Sequence, residues 1–187
     1  MRLKQWFVPV LALSITLLAV GRSELGAGEE APGTLSFKAH NQIYNANGSF
    51  KKWRLTEVDI PDGDLLKGSV EFEVDLASVW EKASKLAEHL RTADFFDVAK
   101  YTTATVRIDR AKSTGENTYE AVASVHLHGY DAEVPVTFKV VSESPLQIEG
   151  SATLSRTAFG IGQPYKSDNE RSIVEEVEIL LELTLTQ

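Results

Sequence analysis

The chain has 187 residues, 43% of them apolar, no cysteine, and 27 acidic against 19 basic side chains for a formal net charge of −8. That length suits one domain of ordinary size with a short appendage. The acidic balance argues against nucleic-acid binding, because phosphate backbones repel it. The lack of cysteine excludes a disulfide framework, thiolate metal sites, a cysteine nucleophile and the lipid-attachment residue of a bacterial lipoprotein.

The first element in chain order is a targeting segment. Arg2 and Lys4 form a short positive region, Trp6 to Val20 is an uncharged and mostly apolar run, and Ala19-Val20-Gly21 offers small residues at the −3 and −1 positions of a cleavage site. This is the three-part design of a secretory signal peptide. The run is shorter than the roughly 20 residues of a spanning helix, and Pro9 interrupts it. Residues 1–21 therefore read as a signal peptide, and cleavage after Gly21 removes Arg2 and Lys4 and no acidic residue, taking the charge from −8 to −10. Residues 22–33, with Gly26 to Gly33 at their end, read as a flexible linker. Residues 34–187 read as the folded domain.

That domain reads mainly as β. Strands are predicted at Leu35 to Ala39, Ile43 to Phe50 and Trp53 to Ile60, and Pro61-Asp62-Gly63-Asp64 closes them with a turn signal. Val70, Phe72, Val74 and Leu76 then alternate with Ser69, Glu71, Glu73 and Asp75, the period of a strand with one apolar and one wet face. Helical spacing follows from Ser78 to Arg91, where Val79, Ala83, Leu86 and Leu90 share a stripe. Further strands are predicted at Thr103 to Arg110 and Tyr119 to Leu127, with His128-Gly129 at hairpin spacing. The alternation returns at Val134, Val136, Phe138 and Val140, and at Ile148, Gly150, Ala152 and Leu154. It ends on Val177, Ile179, Leu181, Leu183 and Leu185. Many one-sided strands hide their edges by closing into a barrel. An eight-stranded barrel holds packed side chains or one small ligand; composition decides neither that choice nor barrel against sandwich.

Five segments in register carry a resemblance. They are Gly48 to Trp53 (GSFKKW), His89 to Val98 (HLRTADFFDV) with its continuation Lys100 to Val106, Val125 to Gly129 (VHLHG), Val134-Pro135-Val136, and Leu154 to Gly162 (LSRTAFGIG). Together they resemble the YceI-like family from about Leu35 to the C-terminus. Thr102 departs from the family's proline, and Tyr130 to Glu133 add negative charge beside the hairpin. The resemblance implies an all-β, lipocalin-like antiparallel β-barrel of about eight strands with one short helix. It implies an apolar interior holding a polyisoprenoid, an isoprenoid quinone or a fatty-chain lipid, and a periplasmic or secreted location, in agreement with the signal peptide.

The candidate tunnel residues are Phe37, Phe50, Trp53, Phe72, Val74, Leu76, Leu90, Phe95, Phe96, Val106, Leu127, Phe138, Leu154 and Phe159. Inward apolar residues suit a filled core as well as a tunnel; the resemblance favours the tunnel. Phe95-Phe96 reads as a lid touching the ligand or as a plug. Arg156, and with weaker support Arg91, could bind a head group, since a guanidinium fork suits phosphate. The favoured reading pairs Arg156 with Asp94 or Asp97 inside the protein, because buried charges are normally paired there. His126 and His128, with His89 or His40, do not show three metal ligands at short fixed spacing. No metal or cofactor is expected beyond a bound lipid. The chain has no GxSxG elbow, Walker A or HExxH motif, and Gly160-Ile161-Gly162 is a lone GxG outside any βαβ unit.

The expected function is that of an exported, non-catalytic lipid carrier. Transient membrane contact and homodimerisation are compatible with it. The rivals are a filled-core stress-response or interaction module and, third, a lipid-modifying enzyme. N-terminal sequencing of the exported protein is expected to start near Arg22; a membrane-retained chain still carrying Trp6 to Val20 contradicts the signal-peptide reading.

Overall fold

The computed structural model describes residues 31–185. The signal peptide and most of the linker lie outside the described residues. Ten strands follow in chain order: β1 (Gly33–His40), β2 (Asn45–Phe50), β3 (Trp53–Asp59), β4 (Ser69–Asp75), β5 (Val79–Glu81), β6 (Thr103–Gly115), β7 (Thr118–Leu127), β8 (Tyr130–Glu143), β9 (Leu146–Ser155) and β10 (Glu176–Leu185). They form one antiparallel sheet in the order β3-β4-β6-β7-β8-β9-β10-β1-β2-β5, strongly curled into a half-barrel.

Ten strands come from eight runs of chain. β2 passes directly into β3 through Lys51-Lys52, and β4 into β5 through Leu76–Ser78. These two runs pair on both sides of a shared bend, Phe50 with Val79 and Trp53 with Val74. Across the bend Lys51 N–H donates to the Ser78 carbonyl (3.2 Å) and Asp75 N–H to the Lys52 carbonyl (3.0 Å). The Ser78 hydroxyl accepts from Lys52 N–H at 3.0 Å. The two edges of the sheet order are thus the two halves of the same bent hairpin, and the sheet returns on itself at this corner.

Register irregularities supply the curl. Ladders shift between Leu55 and Glu57, between Asp109 and Lys112, and between Val140 and Ser142. Bulges of this kind bend a strand and increase its twist; at the second, Arg110 takes a φ of 56°. The β7–β8 hairpin turns through His128 (φ 54°) and Gly129 (φ 81°), a pair of positive φ values that matches the twist of the flanking strands. Pro135 lies inside β8, opposite Val122, but the β8–β9 ladder begins only at Val136. The proline thus sits at the end of the β8–β9 ladder, where a missing N–H is tolerated.

The helical reading of Ser78 to Arg91 is corrected. Only α1 (Ser84–Leu90) is helical, and Val79 to Glu81 form β5 against β2. Val79 is completely buried, and the β2 ladder decides its conformation although it falls on the helical stripe. α1 packs Leu90 with Phe37, Val79 and Val177, closing one end of the half-barrel. Gly48 lies within β2. A Cβ there would stand 2.1 Å from the Phe37 ring, so only glycine lets that ring lie flat over β2.

Candidate functional site

Inward side chains leave a cavity of about 310 Å³ inside the curl. Ile60 and Leu65 of the β3–β4 loop and Ile108 and Asp109 of β6 line one end; Tyr44, Leu86, Leu90 and Arg156 line the other. A void of this size opened in a packed core would cost roughly 7 kcal/mol at ~24 cal/mol per Å³, about the whole net stability of a domain. The volume falls at the lower end of the small-molecule pocket range.

The structure brings twelve of the fourteen candidate tunnel residues to this cavity: Phe37, Phe50, Phe72, Val74, Leu76, Leu90, Phe95, Phe96, Val106, Leu127, Phe138 and Leu154. Trp53 and Phe159 do not line it. Trp53 is buried beside Phe72, ring edge to face at 5.6 Å. Phe159 is 1% exposed in the 3-10 turn Arg156–Phe159 and is solid core. Its carbonyl accepts a hydrogen bond from His128 Nδ1 at 3.0 Å. Phe95 and Phe96 are half-buried, and Phe96 sets its edge against Phe50 at 5.6 Å.

Several lining residues escaped the sequence reading: Leu35, Ile108, Ala152, Ile179 and Leu181, with Tyr44, Ile161 and Ile173 from loops. The strand residues carried a signal, since Ile179 and Leu181 stand on the same alternating face as Val177. The loop residues carried none.

Arg156 starts a 3-10 turn and is 4% exposed. It pairs with neither Asp94 nor Asp97. Its Nε donates to the Val174 carbonyl (3.0 Å), Nη1 to Ile161 (2.8 Å), and Nη2 to Gln163 (2.7 Å) and Ile173 (2.6 Å). Burial pulls its pKa below the ordinary guanidinium value, and the charge of Glu175 opposes that fall. Arg156 thus staples both ends of the β9–β10 connection over the cavity. Gly162, with φ of 68°, gives its Nη1 room: a Cβ there would approach to 2.9 Å. Arg91 does similar work with the Ala77 and Val79 carbonyls. Both arginines spend their donors on backbone, which leaves little for a head group.

At the α1 end, Tyr44 donates its hydroxyl to Glu81 Oε1 at 2.7 Å, and Glu81 is 4% exposed. That hydrogen bond raises the Tyr44 pKa above the ordinary phenol value, with burial and the Glu81 charge adding to it. His126 sits on the outer face beside Asp131 at 2.7 Å, away from His128 and its carbonyl partner. Among the described residues no three metal-ligating side chains gather. The ionisable residues lining the cavity are His40, Tyr44, Asp109 and Arg156, spread between its two ends. The arrangement has room for an apolar guest, and among the described residues no acid, base and nucleophile converge on one point.

The YceI-like domain model matches residues 29–185. The chain belongs to the YceI-like family. Among its relatives, a UPF0312 protein of Pseudomonas savastanoi pv. phaseolicola is 29% identical over 175 residues, covering 83% of this chain and 90% of the relative. A UPF0312 protein of Pseudomonas putida is 30% identical over 180 residues, with the same coverage. Among solved structures, Burkholderia cenocepacia BcnA superposes with a TM-score of 0.73 at 22% identity, covering 82% of this chain and 96% of that one. A polyisoprenoid binding domain from Saccharophagus degradans gives 0.57 at 14% identity, covering 83% and 94%. These likenesses establish the YceI-like fold.

Arg156→Lys keeps the charge but cannot span four carbonyls. Since buried polar groups left unpaired are costly, it is expected to lower unfolding stability by roughly 2–4 kcal/mol and to speed amide exchange across residues 160–175. Urea melts with hydrogen-exchange mass spectrometry check this; unchanged exchange in that segment contradicts the staple.

Proposed function

We propose that this protein is an exported, non-catalytic carrier that sequesters one long-chain apolar lipid, a polyisoprenoid, an isoprenoid quinone or a fatty-acid derivative. The observation that carries the reading is the cavity of about 310 Å³ walled almost wholly by apolar side chains inside a strongly curled sheet. Burial supplies the affinity. Each methylene taken from water contributes about 0.8 kcal/mol, so a long tail binds tightly with few polar contacts. The polyisoprenoid binding domain of similar fold supports the choice of ligand class. The basic, apolar and small-residue segments of residues 1–21 support export to the periplasm or outside the cell. A carrier in that compartment takes its cargo from a membrane and returns it to one.

A lipid wall and a solid core respond differently to truncation. Phe96 faces the cavity half-buried, whereas Phe159 is fully packed away from it. Phe159→Ala is expected to cost roughly 3–5 kcal/mol. Phe96→Ala is expected to cost about 1 kcal/mol and to weaken a fluorescent polyisoprenoid or fatty-acyl probe about tenfold, because the lost ring is a wall of the pocket. Thermal melts and probe titrations of both variants decide the matter. Equal destabilisation by the two variants, with no probe binding by the wild type, supports the filled-core module instead.

A further inference from the structure

The corner that closes the sheet carries an exposed feature that the cavity does not use. β5 alternates: Val79 and Glu81 are buried, so Trp80 between them projects from the outer face, 47% exposed. Lys51, on the facing bend, sets its ammonium over the Trp80 ring at 4.5 Å. Lys52 follows it, Lys82 lies two residues beyond Trp80, and Lys85 stands in the first turn of α1, all of them exposed. None of these four ammonium groups forms an ion pair among the described residues. The neighbouring carboxylates are engaged elsewhere. Glu81 turns inward to the Tyr44 hydroxyl, Glu73 pairs with Arg54 at 3.3 Å, and Asp75 accepts from Ala77 N–H at 2.9 Å. Glu88, further along α1, remains exposed. A chain of formal net charge −8 thus gathers four free lysines about one solvent-facing indole.

That combination suits one kind of partner. An exposed indole seats at the level of lipid head groups. Each lysine beside it gains about fivefold in affinity for an anionic bilayer surface. Nucleic acid meets the same lysines, but the negative charge of the whole chain repels it. A protein strand finds the free edge of β5 occupied, because Arg91 already holds the Ala77 and Val79 carbonyls. The face also adjoins the α1 end of the cavity: Val79 packs on Phe37 and Leu90, and Glu81 holds Tyr44, three residues of the lining. The far end differs. Its β3–β4 loop exposes Leu66 among Asp59, Asp62 and Asp64, with Lys67 tied to Asp64 at 3.0 Å. An anionic surface repels that cluster.

We propose that Trp80, with Lys51, Lys52, Lys82 and Lys85, is a docking site for an anionic phospholipid surface, and that it sets the α1 end of the half-barrel against the bilayer. The face stands on its own residues; the choice of a membrane as partner rests also on the carrier reading, in which cargo passes to and from a bilayer.

Vesicle co-sedimentation of the purified exported protein tests it. Mixed phosphatidylglycerol and phosphatidylcholine vesicles are compared with pure phosphatidylcholine, at about 50 and about 300 mM salt. Binding is expected to the anionic vesicles, and to fall about tenfold or more at the higher salt. Trp80→Ser is expected to weaken it about tenfold, and Lys51→Gln combined with Lys82→Gln about twentyfold. Leu66→Ser, at the opposite end, is expected to leave it within about twofold. Brominated lipid tails are expected to quench the exposed Trp80 of the unaltered protein and to spare Trp53, which is buried. A soluble fluorescent fatty-acyl probe is expected to bind every variant as it binds the unaltered protein, because none of these residues lines the cavity. Absence of binding to the anionic vesicles overturns the docking site, and continued probe uptake then leaves the carrier standing. Binding that the lysine changes weaken, with no quenching by brominated lipid, marks a bare polyanion surface and overturns the assignment as well. Vesicle binding by a protein that takes up no probe overturns the carrier reading and leaves the docking face.

Discussion

The bend that joins β2 to β3 and β4 to β5 is the constraint from which the rest follows. A sheet with one apolar face must cover that face, and this one covers it with itself. Because Phe50 pairs with Val79 just before the bend and Trp53 with Val74 just after it, the two ends of the strand order belong to one hydrogen-bonded hairpin. The apolar faces of eight chain runs therefore look at one another across a shared interior. Nothing in strand pairing alone obliges that interior to be full.

What leaves it unfilled is a matter of side-chain size and of end closure. β7 places Ala123 inward, β6 places Ala104 and β9 Ala152, so the wall is thin where bulk would be needed to meet across the middle. The large rings collect nearer the α1 end, where Phe37, Phe50 and Phe96 contact one another edge to face or tilted. Arginines lock the segments that cover that end, by bonding to carbonyls that irregular backbone would otherwise leave unpaired. Rigid covers and a thin apolar wall make a container whose polar groups serve its own backbone.

The strands were legible in the sequence because period-two alternation is a direct imprint of a one-sided sheet, as in Val70 to Leu76 and Val177 to Leu185. The wall residues followed from it. The helix was overread because Val79 satisfies the helical stripe and the β2 pairing at once, and a three-residue strand leaves too little pattern to decide between them. Trp53 and Phe159 belong to the same residue class as the true lining. Whether a ring faces a cavity or a neighbouring ring depends on tertiary packing. The motif marks Arg156, but its partners are backbone carbonyls, which every residue has and no sequence pattern marks. Tyr44 and Glu81 meet only because β5 folds back onto β2, a consequence of the bend.

On the carrier reading, the interior is occupied. Organic extraction of the protein purified from its native compartment without detergent, followed by mass spectrometry, tests this most directly. The carrier reading predicts near-stoichiometric recovery of a lipid with one long apolar chain. A clean extract, from folded protein that also takes up no such lipid when offered, would contradict it.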